Sequence, residues 1–229
     1  MSTDQKTSNI SIIVPTRNEV ENISRLLPEM LAIPGIEVLV MDGGSSDDTV
    51  DTARALGAKV FSVSPGKAVQ MNAGAEAARG DILLFLHADT RLAPGFVKQI
   101  RDALSQPGIS AGAFRLTIGG RGFGLRVIEM LTNLRSRVLQ MPYGDQGIFV
   151  RAGMFLSVGG FPTLPIMEDF ELVRRLKRKG RIRILPQAAT TSPRRWEKLG
   201  VLRTTVINQA IIIGYLLGVN PKKLAQWYK

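Results

Sequence analysis

The sequence predicts an α/β protein on a mostly parallel, Rossmann-like central sheet flanked by helices, and three observations carry that prediction. Short apolar runs alternate with amphipathic stretches through the first half of the chain. The joints between them are brief, which favours parallel strands with helices on both faces. Polar and charged residues follow three of the runs directly, at the carboxyl ends where such sheets bind ligands.

In chain order, "ISIIV" (10–14) reads as a buried strand and "EVENISRLLPEMLA" (19–32) as a helix with Ile23, Leu26, Leu27, Met30 and Leu31 on one face. "EVLVMD" (37–42) is the second strand. "SSDDTVDTARALG" (45–57) starts on capping residues and stops at glycine, the signature of a helix, with Asp47 and Asp48 as helix-start residues. "KVFSV" (59–63), the small-residue helix "KAVQMNAGAEAARG" (67–80) and the strand "DILLFLHAD" (81–89) complete the regular alternation of a first half, residues 10–106. The rhythm then loosens in a second half, 107–186. It holds a strand over 110–118, a turn at "GGRGFG", a helix to about Val138, a strand and short helix within 146–162, a helix over 167–180 and a closing strand "RIRILP" (181–186). A polar tail (1–9) precedes this single domain, and a basic, apolar helical extension (187–229) follows it.

The 229 residues are 45% hydrophobic, enough for a sizeable core. Without a cysteine there is no disulfide, thiolate nucleophile or cysteine-held metal. With no leader visible, this points to the cytoplasm, at most at the inner face of the membrane. The net charge of +11 is concentrated at the end: residues 172–229 carry fourteen Lys and Arg against the single acid Glu197. Such a block attracts phosphate-bearing partners, or else is a solvated basic face. The apolar run "VINQAIIIGYLLGV" (206–219) is shorter than the roughly 20 residues of a membrane span, and Asn208 and Gln209 interrupt it. A buried or membrane-surface helix is expected there, suited also to contact between copies of the chain.

Two common chemistries are disfavoured. The first strand leads into "PTRNEVEN", with no glycine before Gly35, so there is no dinucleotide loop, and "SPGKAV" lacks the first glycine and the Ser/Thr of a phosphate-binding loop.

Five motifs in order carry a resemblance: "SIIVPTRNEVENI", "VLVMDGGSSDDTVDTA", "GKAVQMNAGAEAARGDILLFLHADT", "GDQGIFVRAGMFLSVGGFP" and "IMEDFELVRRLKRKG". Together they resemble family 2 of the inverting nucleotide-sugar glycosyltransferases, single-domain enzymes of the A-type fold. "TSPRRWEKLGVLRT" and "GYLLGVNPKKLAQWY" are most similar to small bacterial members of the arsenosugar and carotenoid type.

The resemblance implies a nucleotide-diphosphate donor, a UDP-sugar first, and assigns roles. His87-Ala88-Asp89 stands where the family has Asp-x-Asp, so Asp89 inherits the ligation of Mg²⁺ or Mn²⁺, hard cations that bridge diphosphate oxygens. His87 either contacts ribose or diphosphate, ligates Mn²⁺, or is a structural histidine. Asp42 and Glu19 match nucleoside-contacting positions, Pro15, Thr16 and Arg17 shape that pocket, and Lys67 lies near base or phosphates unless it is merely exposed. Asp169 of "MEDFEL" is the implied base that takes the acceptor proton, with Glu168 orienting it. Asp145 and Gln146 fall on the donor-sugar and acceptor side. "SPRRW" matches in part the Gln-x-x-Arg-Trp signature of processive members, with Ser192 in the Gln place. Arg195 is then a diphosphate partner and Trp196 a sugar-stacking face, or else a packed Trp beside solvated arginines.

The acceptor is implied to be small, lipidic or phosphorylated, and the basic C-terminal region is suited to peripheral contact with an anionic membrane. Two rivals stand beside this reading. A sugar nucleotidyltransferase would open with a glycine-rich loop, which is missing. A catalytically inactive protein binding nucleotide or nucleic acid through the basic tail is disfavoured by Asp42, Asp89 and Asp169 and by the few aromatics in the basic block, so no specific nucleic-acid partner is expected.

Overall fold

The computed structural model describes residues 9–227. The expected N-terminal tail lies outside them, apart from the exposed Asn9. Strands β1 (Ile10–Thr16), β2 (Ile36–Asp42), β3 (Lys59–Ser62) and β4 (Ile82–Phe85) alternate with helices α1 (Val20–Leu31), α2 (Thr49–Ala55) and α3 (Lys67–Ala77). The remaining strands are β5 (Thr90–Leu92), β6 (Ile109–Ile118), β7 (Ile148–Arg151) and β8 (Arg181–Thr191). Among them run α4 (Phe96–Ser105), α5 (Phe123–Leu139), α6 (Ala152–Ser157) and α7 (Glu168–Lys177), with a 3₁₀ turn at Gly144–Gln146 before β7. Helices α8 (Arg194–Leu199), α9 (Val201–Leu216) and α10 (Pro221–Trp227) form the C-terminal extension.

All eight strands join one sheet in the order β3-β2-β1-β4-β7-β6-β8-β5. The α/β class and the A-type architecture are as the sequence predicts. The sheet itself is mixed: β3-β2-β1-β4 and the β6–β8 pair are parallel, while β7 lies antiparallel between β4 and β6, and β5 runs antiparallel on β8. Two strand limits also differ from expectation. β4 ends at Phe85, because Leu86 makes the last bond to β1 (N–H to the Ile13 carbonyl, 3.0 Å) and a turn closes from the Thr90 N–H to the His87 carbonyl at 3.0 Å. β8 continues past residue 186 to Thr191, because β6 and β5 supply partners on both its edges.

The strand period sorts the core. Ile10, Ile12 and Val14 of β1 face α1, α2 and α4, packing with Leu26, Leu27 and Ile100. Ile13, Leu39 and Met41 face the other layer, with Met71 of α3, Phe155 of α6 and Leu172 of α7. Each such Ile or Leu, taken from water, contributes roughly 1.5–3 kcal/mol.

The small residues of α3 have a reason in this packing. A side-chain carbon on Gly74 would collide with Ile13 and approach Met41 within 3.1 Å, so only glycine lets the helix lie this close to β1 and β2. On the same helix Gln70 is buried, and its amide donates to the carbonyls of Thr16 (2.8 Å) and Met41 (2.7 Å), tying together the ends of two strands that lead into the site. Replacing Gly74 by Ala is expected to destabilise the fold by about 1–3 kcal/mol through overpacking. Urea unfolding of the variant against wild type measures it.

Candidate active site

From β1 the chain builds outward through β2 and β3, then returns to place β4 on the opposite side of β1. The crevice at this reversal, beyond the carboxyl ends of β1 and β4, is where an open α/β sheet takes its ligand. Strand register decides what else reaches it. Ile148 of β7 pairs with Phe85 of β4, so the Gly144–Gln146 turn before β7 lies beside His87. Thr191 of β8 pairs with Thr90 of β5, which brings residues 192–196 next to Asp89.

The result is a cavity of about 530 Å³. Lys67 at the start of α3, His87 and Asp89 after β4, and Asp145 in the 3₁₀ turn all line it. So do Glu168 and Asp169 at the start of α7 and Arg195 and Trp196 on α8. An apolar wall is made by Leu164, Pro165 and Ile166 with Ile211 and Ile212 of α9.

Several expected residues lie elsewhere. Pro15 and Thr16 are buried in β1. Asp42 is buried at the end of β2, where Oδ2 accepts from the N–H groups of Gly44 and Ser45 at 3.0 Å each. Its Oδ1 lies 3.5 Å from the Thr16 hydroxyl. Arg17 is exposed, and Ala88 is buried within the turn. Gln146 faces away from the cavity: it is fully buried, donates to the Phe114 carbonyl (2.9 Å) and accepts from the Ser136 hydroxyl (2.8 Å) and the Tyr143 N–H (3.2 Å). It braces the turn that presents Asp145.

Arg194 was not expected from the sequence. One of its guanidinium nitrogens lies 3.3 Å from a Glu19 oxygen and 3.5 Å from a carboxylate oxygen of Asp89, joining the loop after β1 to the turn after β4. The signal for it was its place beside Arg195 in one basic pair. Which of the two arginines turns toward the carboxylates depends on how α8 leaves β8.

Gly144 also escaped notice. Its N–H donates to Asp169 Oδ2 at 2.7 Å, and a side-chain carbon on it would sit 3.2 Å from His87 Nε2 and 3.3 Å from that same carboxylate oxygen. Asp169 is thereby held by backbone donors, since its Oδ1 also accepts the Phe170 N–H at 2.7 Å.

Electrostatically the cavity crowds acids. Burial, then the charge of Asp169, raises the Glu168 carboxyl well above its ordinary range, against the pull of Lys67. Burial and Asp169 likewise push Asp145 up to about 6, with Arg135 and Lys67 opposing. One Asp145 oxygen is buried without a hydrogen-bond partner among the described residues. Burial, and next the charge of Lys67, hold His87 well below the imidazole range, so its ring is neutral and able to accept a hydrogen bond or ligate a metal. Behind the turn, the Arg135 guanidinium stacks 3.6 Å over the Tyr143 ring.

Among the described residues, no three His, Asp or Glu side chains are grouped to hold a metal by themselves. Mg²⁺ and Mn²⁺ sites commonly need one or two carboxylates, with phosphate oxygens and water completing the shell. Asp89 in a cation-lined cavity fits that donor set.

Carboxylates and cations thus meet in one cavity at the reversal of an α/β sheet, the place where such sheets take their ligands. Residues 11–158 match the model for Glycosyl transferase family 2, and the chain belongs to that family. It is 36% identical over 97 residues to a 4,4'-diaponeurosporenoate glycosyltransferase of Staphylococcus haemolyticus, covering 38% of this chain and 26% of that protein. Over 165 residues it is 27% identical to an undecaprenyl-phosphate 4-deoxy-4-formamido-L-arabinose transferase of Sodalis glossinidius, covering 66% and 51%. The chain thus spans about a quarter to a half of the length of these relatives.

Solved structures with the same fold include a mannosyltransferase of Pyrobaculum calidifontis in complex with GDP-Man and Mn²⁺ (TM-score 0.69, 19% identity, 98% of this chain and 70% of that one). Another is the glucosyl-3-phosphoglycerate synthase of Mycobacterium tuberculosis with Mn²⁺, UDP and glucosyl-3-phosphoglycerate (TM-score 0.62, 23% identity, 89% and 79%).

The raised pKa of Asp145 makes a pH prediction. An aspartate in the unfolded chain titrates near about 4, so between there and about 6 the native state holds a proton the unfolded chain has lost. The stability associated with Asp145 is therefore complete below about pH 4 and is lost as pH rises through about 6. Asp145→Asn should raise the melting temperature at pH 7.5 and leave a much smaller difference at pH 4, read by thermal unfolding across that range.

Proposed function

We propose that the chain is a metal-dependent, inverting glycosyltransferase that moves a sugar from a nucleotide diphosphate, a UDP-sugar first, to a lipidic or phosphorylated acceptor. The observation that carries the reading is one cavity in which Asp89 and three cations, Lys67, Arg194 and Arg195, meet the acidic group Asp145, Glu168 and Asp169. The diphosphate belongs with the cations and Asp89, and the acceptor hydroxyl with the acids.

In this reading Asp89 would hold Mg²⁺ or Mn²⁺, which would supply positive charge to offset the negative charge of a departing diphosphate. Glu19, Asp42, Thr16, Pro15 and Arg17, outside that cavity at the ends of β1 and β2, are assigned the nucleoside end. Lys67 and the two arginines offset further negative charge, and His87 accepts a hydrogen bond from the donor. Asp169, aimed by the Gly144 and Phe170 N–H groups, takes the proton of the acceptor hydroxyl as the acceptor oxygen attacks the anomeric carbon and the bond from that carbon to the diphosphate, on the opposite face, breaks. Glu168, with its raised pKa, is protonated more readily than an exposed glutamate and limits repulsion beside Asp169. Asp145, with its unpaired oxygen, faces the sugar hydroxyls.

The apolar wall of Leu164, Ile166, Ile211 and Ile212, with Trp196, favours an acceptor with a hydrocarbon part. No helix among the described residues is long and apolar enough to cross a membrane. The basic C-terminal region then serves peripheral contact with a membrane that carries such an acceptor.

Calorimetric titration with UDP and GDP, with and without Mn²⁺, tests the donor site. Wild type should bind UDP in a metal-dependent way, and Asp89→Ala should lose that dependence; no nucleotide binding with any metal would refute the reading. Asp169→Asn should keep UDP binding yet slow UDP release from a panel of UDP-sugars by about 10²–10⁴-fold, the usual contribution of a general base. An unchanged rate would remove Asp169 from that role.

A further inference from the structure

A second groove, of about 520 Å³, lies between β6 and α5, lined by residues that take no part in the donor cavity. Three arginines line it: Arg115 from β6, and Arg126 and Arg137 from α5. Arg126 is held by Glu129 (2.9 Å) and the Ile118 carbonyl (2.6 Å). The exposed side chains of Arg115 and Arg137 make no ion pair or hydrogen bond among the described residues.

Met130 and Leu134 supply the apolar part of the lining and belong to a longer stripe. Phe123, Met130, Leu131, Leu134 and Val138 recur at helical spacing on the outward face of α5, each more than half exposed, Phe123 at 85%. Arg126 and Arg137 flank the stripe on its groove side. At its start, Gly124 packs on Val201 of α9 (3.1 Å to the position of an added side-chain carbon), and the next residue of α9, Leu202, is 82% exposed. An apolar face of this extent, rimmed by cations, marks an interaction surface.

We propose that this face of α5 and β6 docks on an anionic lipid bilayer, the apolar stripe entering the headgroup boundary while Arg115, Arg126 and Arg137 engage lipid phosphates. Charge selects this occupant. Apart from Arg135, which stacks on Tyr143, residues 121–139 carry three arginines against one glutamate, and the last quarter of the chain is more basic still. A second copy of the chain would set arginine against arginine. A nucleic acid would satisfy the arginines and leave the apolar stripe in water. A basic helix face with exposed Leu, Met and Phe meets both demands of a bilayer surface. The inference goes beyond the transferase reading and does not depend on it.

The test is co-sedimentation of the full chain with phosphatidylcholine vesicles, with and without phosphatidylglycerol, at about 0.15 M salt, where exposed charges are screened beyond roughly 8 Å. Wild type should pellet with the anionic vesicles only. Arg115→Glu with Arg137→Glu, and separately Met130→Asp with Leu134→Asp, should each weaken that partitioning about tenfold or more. The milder pair Met130→Gln with Leu134→Gln should weaken it in the same direction, and thermal unfolding confirms that each variant is folded. The proposal is overturned by no vesicle binding by wild type, by full competition by millimolar inorganic phosphate, or by loss with the arginine pair but none with either apolar pair. A wild-type dimer in sedimentation equilibrium that the apolar substitutions dissociate would overturn it in favour of a contact between copies.

Discussion

The Gly144 N–H donated to Asp169 Oδ2 at 2.7 Å is the contact on which the acidic half of the site depends. It exists because β7 enters the sheet antiparallel to β4, with Ile148 opposite Phe85, so the turn before β7 must lie against the turn after β4. Glycine is needed there because His87 and Asp169 both crowd the place a side chain would take. Gln146, buried behind the turn and bonded to Phe114, Ser136 and Tyr143, keeps the backbone in that position. A residue with no access to the cavity thus sets the geometry of one that has it.

Held this way, the carboxylates repel one another in a partly dry cavity. Asp145 and Glu168 are raised by burial and by Asp169, and Lys67 relieves both. Such an arrangement is costly to folding and useful to a site that must meet a cation or move a proton. Arg194 performs a related service on the other side, bridging Glu19 and Asp89 so that two loops from separate strands stay together.

The C-terminal extension contributes to the cavity as well. Ile211 and Ile212 of α9 complete its apolar wall, and Ile211 packs with Met167, Phe170 and Leu224. Residues beyond the segment that matches the family model therefore take part in shaping the region assigned to the acceptor.

Much of the fold was legible in the chain. The strand and helix periods of residues 10–118 are local properties, and β1, β2, α1, α3 and β6 follow them closely. The motif order singled out Asp89 and Asp169, which do meet in one cavity. Pairing direction was not legible: "IFVR" is equally apolar whether it runs parallel or antiparallel to β4, and only the antiparallel choice carries Gly144 to His87. Nor does a basic pair such as Arg194-Arg195 reveal which member faces a carboxylate, since that depends on how α8 leaves β8. The sequence by itself determined most of the segments that become strands and helices, though not the short β5 or the far end of β8, and which acids stand at their ends, because those follow from near-neighbour patterning. Tertiary structure alone decided which of these groups touch, and that Gln146 braces while Asp145 is presented, because register and crossover are settled by contacts far apart in the chain.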